Sequence, residues 1–286
     1  MKFRWHRRHW SEIIVKLLMY CSVGLVFASL AVILWTIVSK GLPALTWEMV
    51  SQTPKGGFYL GKEGGILNAI LGSLYLAGGA TLIAFVFSLP LALFLETYLG
   101  QSRWANWVRL SLDVLWGIPS IVYGAFGFIL MLSLGMRASL LGGILTLALL
   151  ELPIMVRAMD EVIRRMPYDL EQAALALGST KWEVASRVVL RQMLSGIVTA
   201  ILLAFGRGIG DAASVLFTAG YTDSIPTSLM RPAASLPLAV FFQLGTPFPQ
   251  VQQRAYAAAL ILTVIVLVVS LGSRFLAAQV GKFSVK

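Results

Sequence analysis

Residues 194–217 read LSGIVTAILLAFGRGIGDAASVLF, an apolar stretch whose only charges are Arg207 and Asp211. About 20 mainly apolar residues suffice to cross a hydrocarbon layer roughly 30 Å thick. The stretch therefore predicts a spanning helix with two charges inside it. Five more stretches meet the same length criterion: Ile13–Val38, Ala69–Leu95, Leu110–Leu134, Ala138–Val156 and Ala255–Ala278. The first follows Arg4, Arg7 and Arg8, as a signal peptide would. Its apolar run is too long for one and other spans follow, so it reads as a retained helix. Composition agrees: of 286 residues, 58% are hydrophobic and 13% charged, against about 25% charged in ordinary globular domains. Cys21 is the one cysteine, which excludes an internal disulfide framework. The sequence predicts an all-α polytopic membrane protein with six transmembrane helices.

A net charge of +10 could point to nucleic acid, but the placement of the charges argues otherwise. With the N-terminus inside, 16 of the 23 Lys and Arg fall on the inner side. Lys40, Lys55, Lys62, Arg137, Arg231 and Arg254 fall outside, and Arg207 remains, inside a span. This bias places both termini in the cytoplasm and removes the case for a nucleic-acid partner. The organisation that follows begins with a basic cytoplasmic anchor at 1–12, with Trp5 and Trp10 at headgroup level among membrane lipid. A first transmembrane helix occupies 13–38. An extracytoplasmic loop at 39–68 holds Pro43, Pro54 and a Gly56-Gly57 turn. A five-helix core at 69–278 contains a cytoplasmic loop at 159–192 and an outer loop at 219–254, and 279–286 form a cytoplasmic tail. The outer loop carries Pro226, Pro232, Pro237, Pro247 and Pro249, a density that suits irregular backbone or short helices.

The cytoplasmic loop has punctuation of its own. Asp169 and Gln172 stand at capping-box spacing, an alanine-rich run follows through Ala173 and Ala174, and Gly178 after Leu177 suits a helix end. Thr180 and Glu183 repeat the cap spacing at once. This predicts a short helix, a tight corner and a second helix. On spacing alone an ordinary hairpin accounts for it as well as a docking element does.

Gln172-Ala173-Ala174 followed by Leu177-Gly178 resembles the EAA–Gly signature of binding-protein-dependent ABC importer permeases. Gly117-Ile118-Pro119-Ser120-Ile121-Val122-Tyr123-Gly124, Leu152-Pro153-Ile154-Met155-Val156-Arg157-Ala158, Ala204-Phe205-Gly206-Arg207-Gly208-Ile209-Gly210-Asp211 and Leu216-Phe217-Thr218-Ala219-Gly220 resemble the phosphate-specific branch of that family. The resemblance implies the type I permease fold in a bacterial inner membrane and import of phosphate driven by ATP. It implies no cofactor and no catalysis by this chain. The implied partners are a second homologous permease, cytoplasmic ATP-binding subunits and an extracytoplasmic phosphate-binding protein. Asp169, Gln172, Ala173, Ala174, Leu177 and Gly178 would then couple to the ATPase. The departures from the family pattern are Gln172 for glutamate, Arg191 for a proline, Asp211 for glutamate, and Glu151 at an apolar position.

An arginine at a helix centre costs about 2.5–3.5 kcal/mol even on the lenient insertion scale, so Arg207 needs a partner. Asp211, four residues on, is the expected one. Two readings stand open. Either the pair only permits insertion, with Gly206, Gly208 and Gly210 serving helix packing, or Arg207 attracts an oxyanion in transit, Arg157 relays it inward and Glu151 modifies the charge of the path. Arg109 and Asp113, also four apart, read as a structural pair.

Competing classes fit less well. Gly208-Ile209-Gly210-Asp211 and Tyr168-Asp169 match the two motifs of intramembrane aspartyl proteases, yet Asp169 falls in a polar loop beside Arg164 and Arg165. The only histidines, His6 and His9, sit in the tail, and no phosphate-binding loop of the ATPase type occurs. A secondary transporter would show two related halves, which the sequence lacks. Another tetrahedral oxyanion is the alternative cargo.

Overall fold

The computed structural model describes residues 2–55, 63–100 and 102–280, with the side chains of 2–11, 63, 168, 276–278 and 280 left aside. The Gly56-Gly57 turn, Lys62 and the Trp5 and Trp10 side chains lie outside the described residues. Helix α1 (Lys2–Gly41) leads through a 3-10 turn (Leu42–Ala44) and α2 (Trp47–Ser51) to a small antiparallel pair, β1 (Pro54–Lys55) with β2 (Glu63–Gly64). Then come α3 (Leu67–Phe94), extended by a π turn at Leu95–Leu99, α4 (Arg103–Gly117), α5 (Ser120–Ser133) and α6 (Leu140–Ile163). Helices α7 (Tyr168–Ala176), α8 (Lys181–Glu183) and α9 (Leu190–Gln192) precede α10 (Leu194–Ile209), α11 (Leu236–Leu244) and α12 (Pro249–Val280). Among the described residues, four helices are long and apolar enough to cross a membrane alone, and two bent pairs raise the number to six.

Helix α6 is the axis of the fold, and α3 packs along it. The buried side of α3 is built from Ala69, Gly72, Ser73, Leu76, Ala77, Ala80, Thr81 and Ala84. Their spacing of three and four places small residues on one face, which lets two backbones approach closely without a water-driven hydrophobic force. At Gly143 an added Cβ would stand 2.6 Å from Leu76. Helix α1 lies at the periphery, with none of its apolar window buried, and meets α12 where Gly41 leaves room for the Tyr256 carbonyl.

Two expected straight spans are broken. Leu110–Leu134 is the pair α4–α5, bent by 96°. Ile118 precedes Pro119 and is extended (φ −71°, ψ 131°), because the proline ring excludes the helical region for its predecessor. Helix α4 is consequently amphipathic: Ala105, Arg109 and Leu112 face inward, and Trp104, Trp107 and Val114 face outward. The span predicted at Leu194–Phe217 is helical only to Ile209. Its 16 residues make about 24 Å, short of a bilayer core of about 30 Å. The backbone beyond Ile209 is irregular and lies mostly inside protein, where its polar groups find partners. The Thr218 carbonyl accepts from Ser139 N–H at 2.9 Å, and the Ala219 carbonyl accepts from Ala233 N–H at 2.9 Å. Gly124 of α5 lets the Ala213 carbonyl pass where a Cβ would be 2.7 Å away.

Candidate functional site

Arg207 occupies the last turn of α10, where the helix dipole favours a cation. Its side chain is 53% exposed, and among the described residues its ion-pair partner is Asp211, whose Oδ2 stands 3.5 Å away. Gly206, one residue before, has open space where a side chain would be. Asp211 has already left the helix. Its other oxygen, Oδ1, accepts from Ser214 N–H at 2.8 Å and so caps the turn that follows. The Arg207–Asp211 pair therefore joins a helix end to the irregular segment, and is not the intrahelical rung that the spacing suggested. Among the described residues nothing else engages the guanidinium's donors, and the side chain is half exposed.

Glu151 lies behind that face. It stands midway along α6, fully buried, and its Oε2 accepts from Thr81 Oγ1 at 2.8 Å. Its Oε1 has no hydrogen-bond partner and sits against Gly208, where a Cβ would come within 1.9 Å. Glu151 thus lies at the crossing of α3, α6 and α10.

Arg157 and Arg109 belong to a different arrangement, at the α7 end of the bundle. Arg109 forks Asp160, with Nε donating to Oδ2 at 2.9 Å and Nη2 to Oδ1 at 3.0 Å. It also donates to Glu96 Oε2 at 2.9 Å and to the Gly100 carbonyl at 3.1 Å. Arg157 donates to Asp113 Oδ1 at 2.6 Å and to Asp160 Oδ2 at 3.0 Å. The expected Arg109–Asp113 rung is replaced by these cross-helix pairs, because a buried guanidinium gains more from a bidentate carboxylate than from a neighbour one turn away. Glu96 and Asp160 were missed in the sequence. Their only signal was an acid at each of two span ends, with Asp160 three residues after Arg157.

The α7 corner differs from its reading at one end and agrees at the other. Helix α7 starts at Tyr168 with Pro167 as its N-cap and no side-chain cap bond, so Asp169 and Gln172 form no capping box. Asp169 instead sits in the first turn, where an acid suits the dipole. Gly178 has φ +85°, its N–H donates to Leu175 and the Ser179 N–H donates to Ala174, which together make a Schellman end. Thr180 and Glu183 form the full capping box. Ala174 and Leu175 pack against the core, while Gln172, Ala173, Leu177 and Gly178 are exposed, Leu177 at 87%.

Residues 88–282 match the family of binding-protein-dependent transport system inner membrane components. A phosphate transport system permease protein PstA of Haemophilus influenzae is 34% identical over 275 residues, covering 96% of this chain and 95% of that protein. The PstA protein of Xylella fastidiosa is 37% identical over 246 residues, 84% of this chain and 83% of that one. PstA 1 of Mycobacterium tuberculosis is 35% identical over 255 residues, 86% and 83%. Two solved folds are similar. One is the inward-facing MetNI methionine ABC transporter, with a TM-score of 0.62 and 18% identity over 75% of this chain and 95% of that one. The other is a bacterial alginate ABC transporter in complex with an alginate-bound periplasmic protein, with a TM-score of 0.62 and 15% identity over 96% and 99%.

Proposed function

The chain belongs to the binding-protein-dependent transport system inner membrane components, and from that premise we propose that it is a permease subunit of an ATP-driven phosphate importer. It forms half of the translocation path and passes motion between that path and a cytoplasmic ATPase. The observation that carries the reading is Arg207, a half-exposed guanidinium at the break of a span, held only at 3.5 Å by one carboxylate. Phosphate is a compact oxyanion whose oxygens match a guanidinium fork. Conduction needs a site that attracts the ion without trapping it, and Asp211 supplies the partial neutralisation. Arg157, engaged by Asp113 and Asp160, braces α4 against α6 at the inner mouth, so the ion is not routed over it.

In this reading the α7 end is cytoplasmic, both termini lie on that side, and the exposed Gln172, Ala173, Leu177 and Gly178 meet a groove on an ATP-binding subunit. A second homologous permease closes the path opposite Arg207, and an extracytoplasmic phosphate-binding protein delivers the ion at the other end. The chain carries out no covalent chemistry itself. The test is Arg207→Gln in the assembled importer. Uptake of labelled phosphate is expected to fall at least tenfold, as about 1.4 kcal/mol of lost ion stabilisation implies, with unchanged amounts of protein in the membrane. Parent uptake would remove the reading.

A further inference from the structure

A carboxyl oxygen without a partner and a guanidinium with a loose one stand at the same helix crossing, the carboxyl against Gly208 and the guanidinium on the residue before it. Glu151 Oε1 is buried, makes no hydrogen bond and touches α10 at Gly208. Arg207, the preceding residue, is half exposed and among the described residues has only the 3.5 Å contact to Asp211. A buried polar oxygen left unpaired carries a desolvation penalty, and folded proteins keep such atoms where a second state uses them or where strain is stored. Among the described residues packed around Glu151, no other charge serves it. Helix α3 presents Thr81 among Ala77, Ala80 and Ala84, and α10 presents Gly208. Along α6 itself, Arg157 and Asp160 are committed to the network at the α7 end.

We propose that Glu151 is the alternate counter-ion of Arg207, a positioning residue that takes the guanidinium over from the departing anion when α10 moves against α6. The inference rests on Arg207 being the anion site. Gly208 makes the exchange geometrically open, since it puts no side chain between the α10 backbone and the carboxyl. Successive helical residues are about 100° apart, so a turn or bend of α10 that lifts Gly208 brings the edge of Arg207 toward Oε1. Such motion has a source: α10 meets the segment Lys181–Gln192 at a 74° bend, and that segment leads back to the α7 corner, so a pull on that corner acts on α10. A carboxylate meets a guanidinium with the same two-pronged geometry as a phosphate. Glu151 therefore competes with the ion for one fork, and release follows the helix motion.

The test combines uptake of labelled inorganic phosphate by the assembled importer with binding of inorganic phosphate to the purified assembly. Glu151→Gln is expected to lower the maximal uptake rate about tenfold while phosphate binding tightens at least threefold, because the competing carboxylate is gone. Glu151→Asp is expected to recover part of the rate. Parent rate and parent binding in Glu151→Gln, at parent levels in the membrane, overturn the proposal. So does a lower rate with weakened binding, which is what a purely structural carboxyl would give. Should the glutamine variant not reach the membrane, Glu151→Met, a neutral chain of similar length, is read by the same outcomes. Inactive Arg207→Gln with parental Glu151→Gln removes this inference alone, whereas active Arg207→Gln removes the functional reading beneath it.

Discussion

Two groups of charges inside one bundle are treated in opposite ways. At the α7 end, Arg109 is nearly buried and its donors are directed at Asp160, Glu96 and a backbone carbonyl. At the break of α10, Arg207 is half exposed and keeps one contact at 3.5 Å. A cation whose donors are all engaged holds helices together and has nothing left for a ligand. A cation left with free donors, in a chain where each intramembrane charge is costly, is what an anion path requires. On the proposed function, the degree of saturation separates scaffold from site better than depth or sequence spacing does.

The contrast breaks most visibly when each arginine is removed in turn. Arg109→Ala leaves Asp160, fully buried, with Arg157 as its remaining partner. Truncating one side of a buried pair costs about 3 kcal/mol or more, so the expected outcome is loss of thermal stability in detergent and little protein in the membrane. Arg207→Gln breaks a half-exposed pair, for which about 0.5 kcal/mol is typical. Thermal stability is expected to stay near the parent while uptake is lost. Equal destabilisation of the two variants would erase the distinction between clamp and site.

Much of the framework was legible because its causes are local. Six apolar runs answer to four helices long enough to span and two bent pairs, and Thr180 with Glu183 gave a real capping box, because the two residues lie within three positions and little else competes for them. The misreadings share a physical reason. Hydropathy has no sense of direction, so the turn at Pro119 was invisible to it, although the extended preference of the residue before proline was available in the sequence. Asp169 lost its capping role to Pro167 because the helix begins two residues earlier than the spacing implied. Arg109 was paired with Asp113 by counting along one helix, whereas the decisive partner, Asp160, sits 51 residues away. The role of Glu151 depends on which face of α6 meets Thr81 and Gly208, and a single sequence carries no signal for that.

The glycines beside Arg207 sharpen the comparison at smaller cost. Gly208→Ala would push a Cβ to 1.9 Å from Glu151 Oε1, whereas Gly206→Ala enters open space. Overpacking of a tight helix crossing costs about 2 kcal/mol. Gly208→Ala is expected to lower both thermal stability and uptake, and Gly206→Ala to leave stability at or slightly above the parent through better helix propensity. If the two behave alike in a melt, α10 does not bear on Glu151 as described.

The α7 corner carries the contrast to its weak limit, where bonds are satisfied but exposed. Thr180 Oγ1 accepts from Glu183 N–H at 3.3 Å, and Glu183 Oε2 accepts from Thr180 N–H at 3.0 Å. Thr180→Ala removes the first bond and unseats the second. A lost cap typically costs about 1 kcal/mol, and here the loss falls on a corner that touches the core mainly through Ala174 and Leu175. The effect should therefore stay local. Amide exchange is expected to quicken about fivefold around residues 180–184, as about 1 kcal/mol of local opening implies, with the global melt unchanged. In the proposed function, coupling asks more of this corner than folding does, because the corner would have to meet the ATPase as a rigid lever. If the cap serves that purpose, Thr180→Ala lowers the uptake obtained per ATP hydrolysed while the melt stays fixed. If uptake per ATP does not change, the cap only finishes a helix, and rigidity at the corner must come from the Schellman end at Gly178.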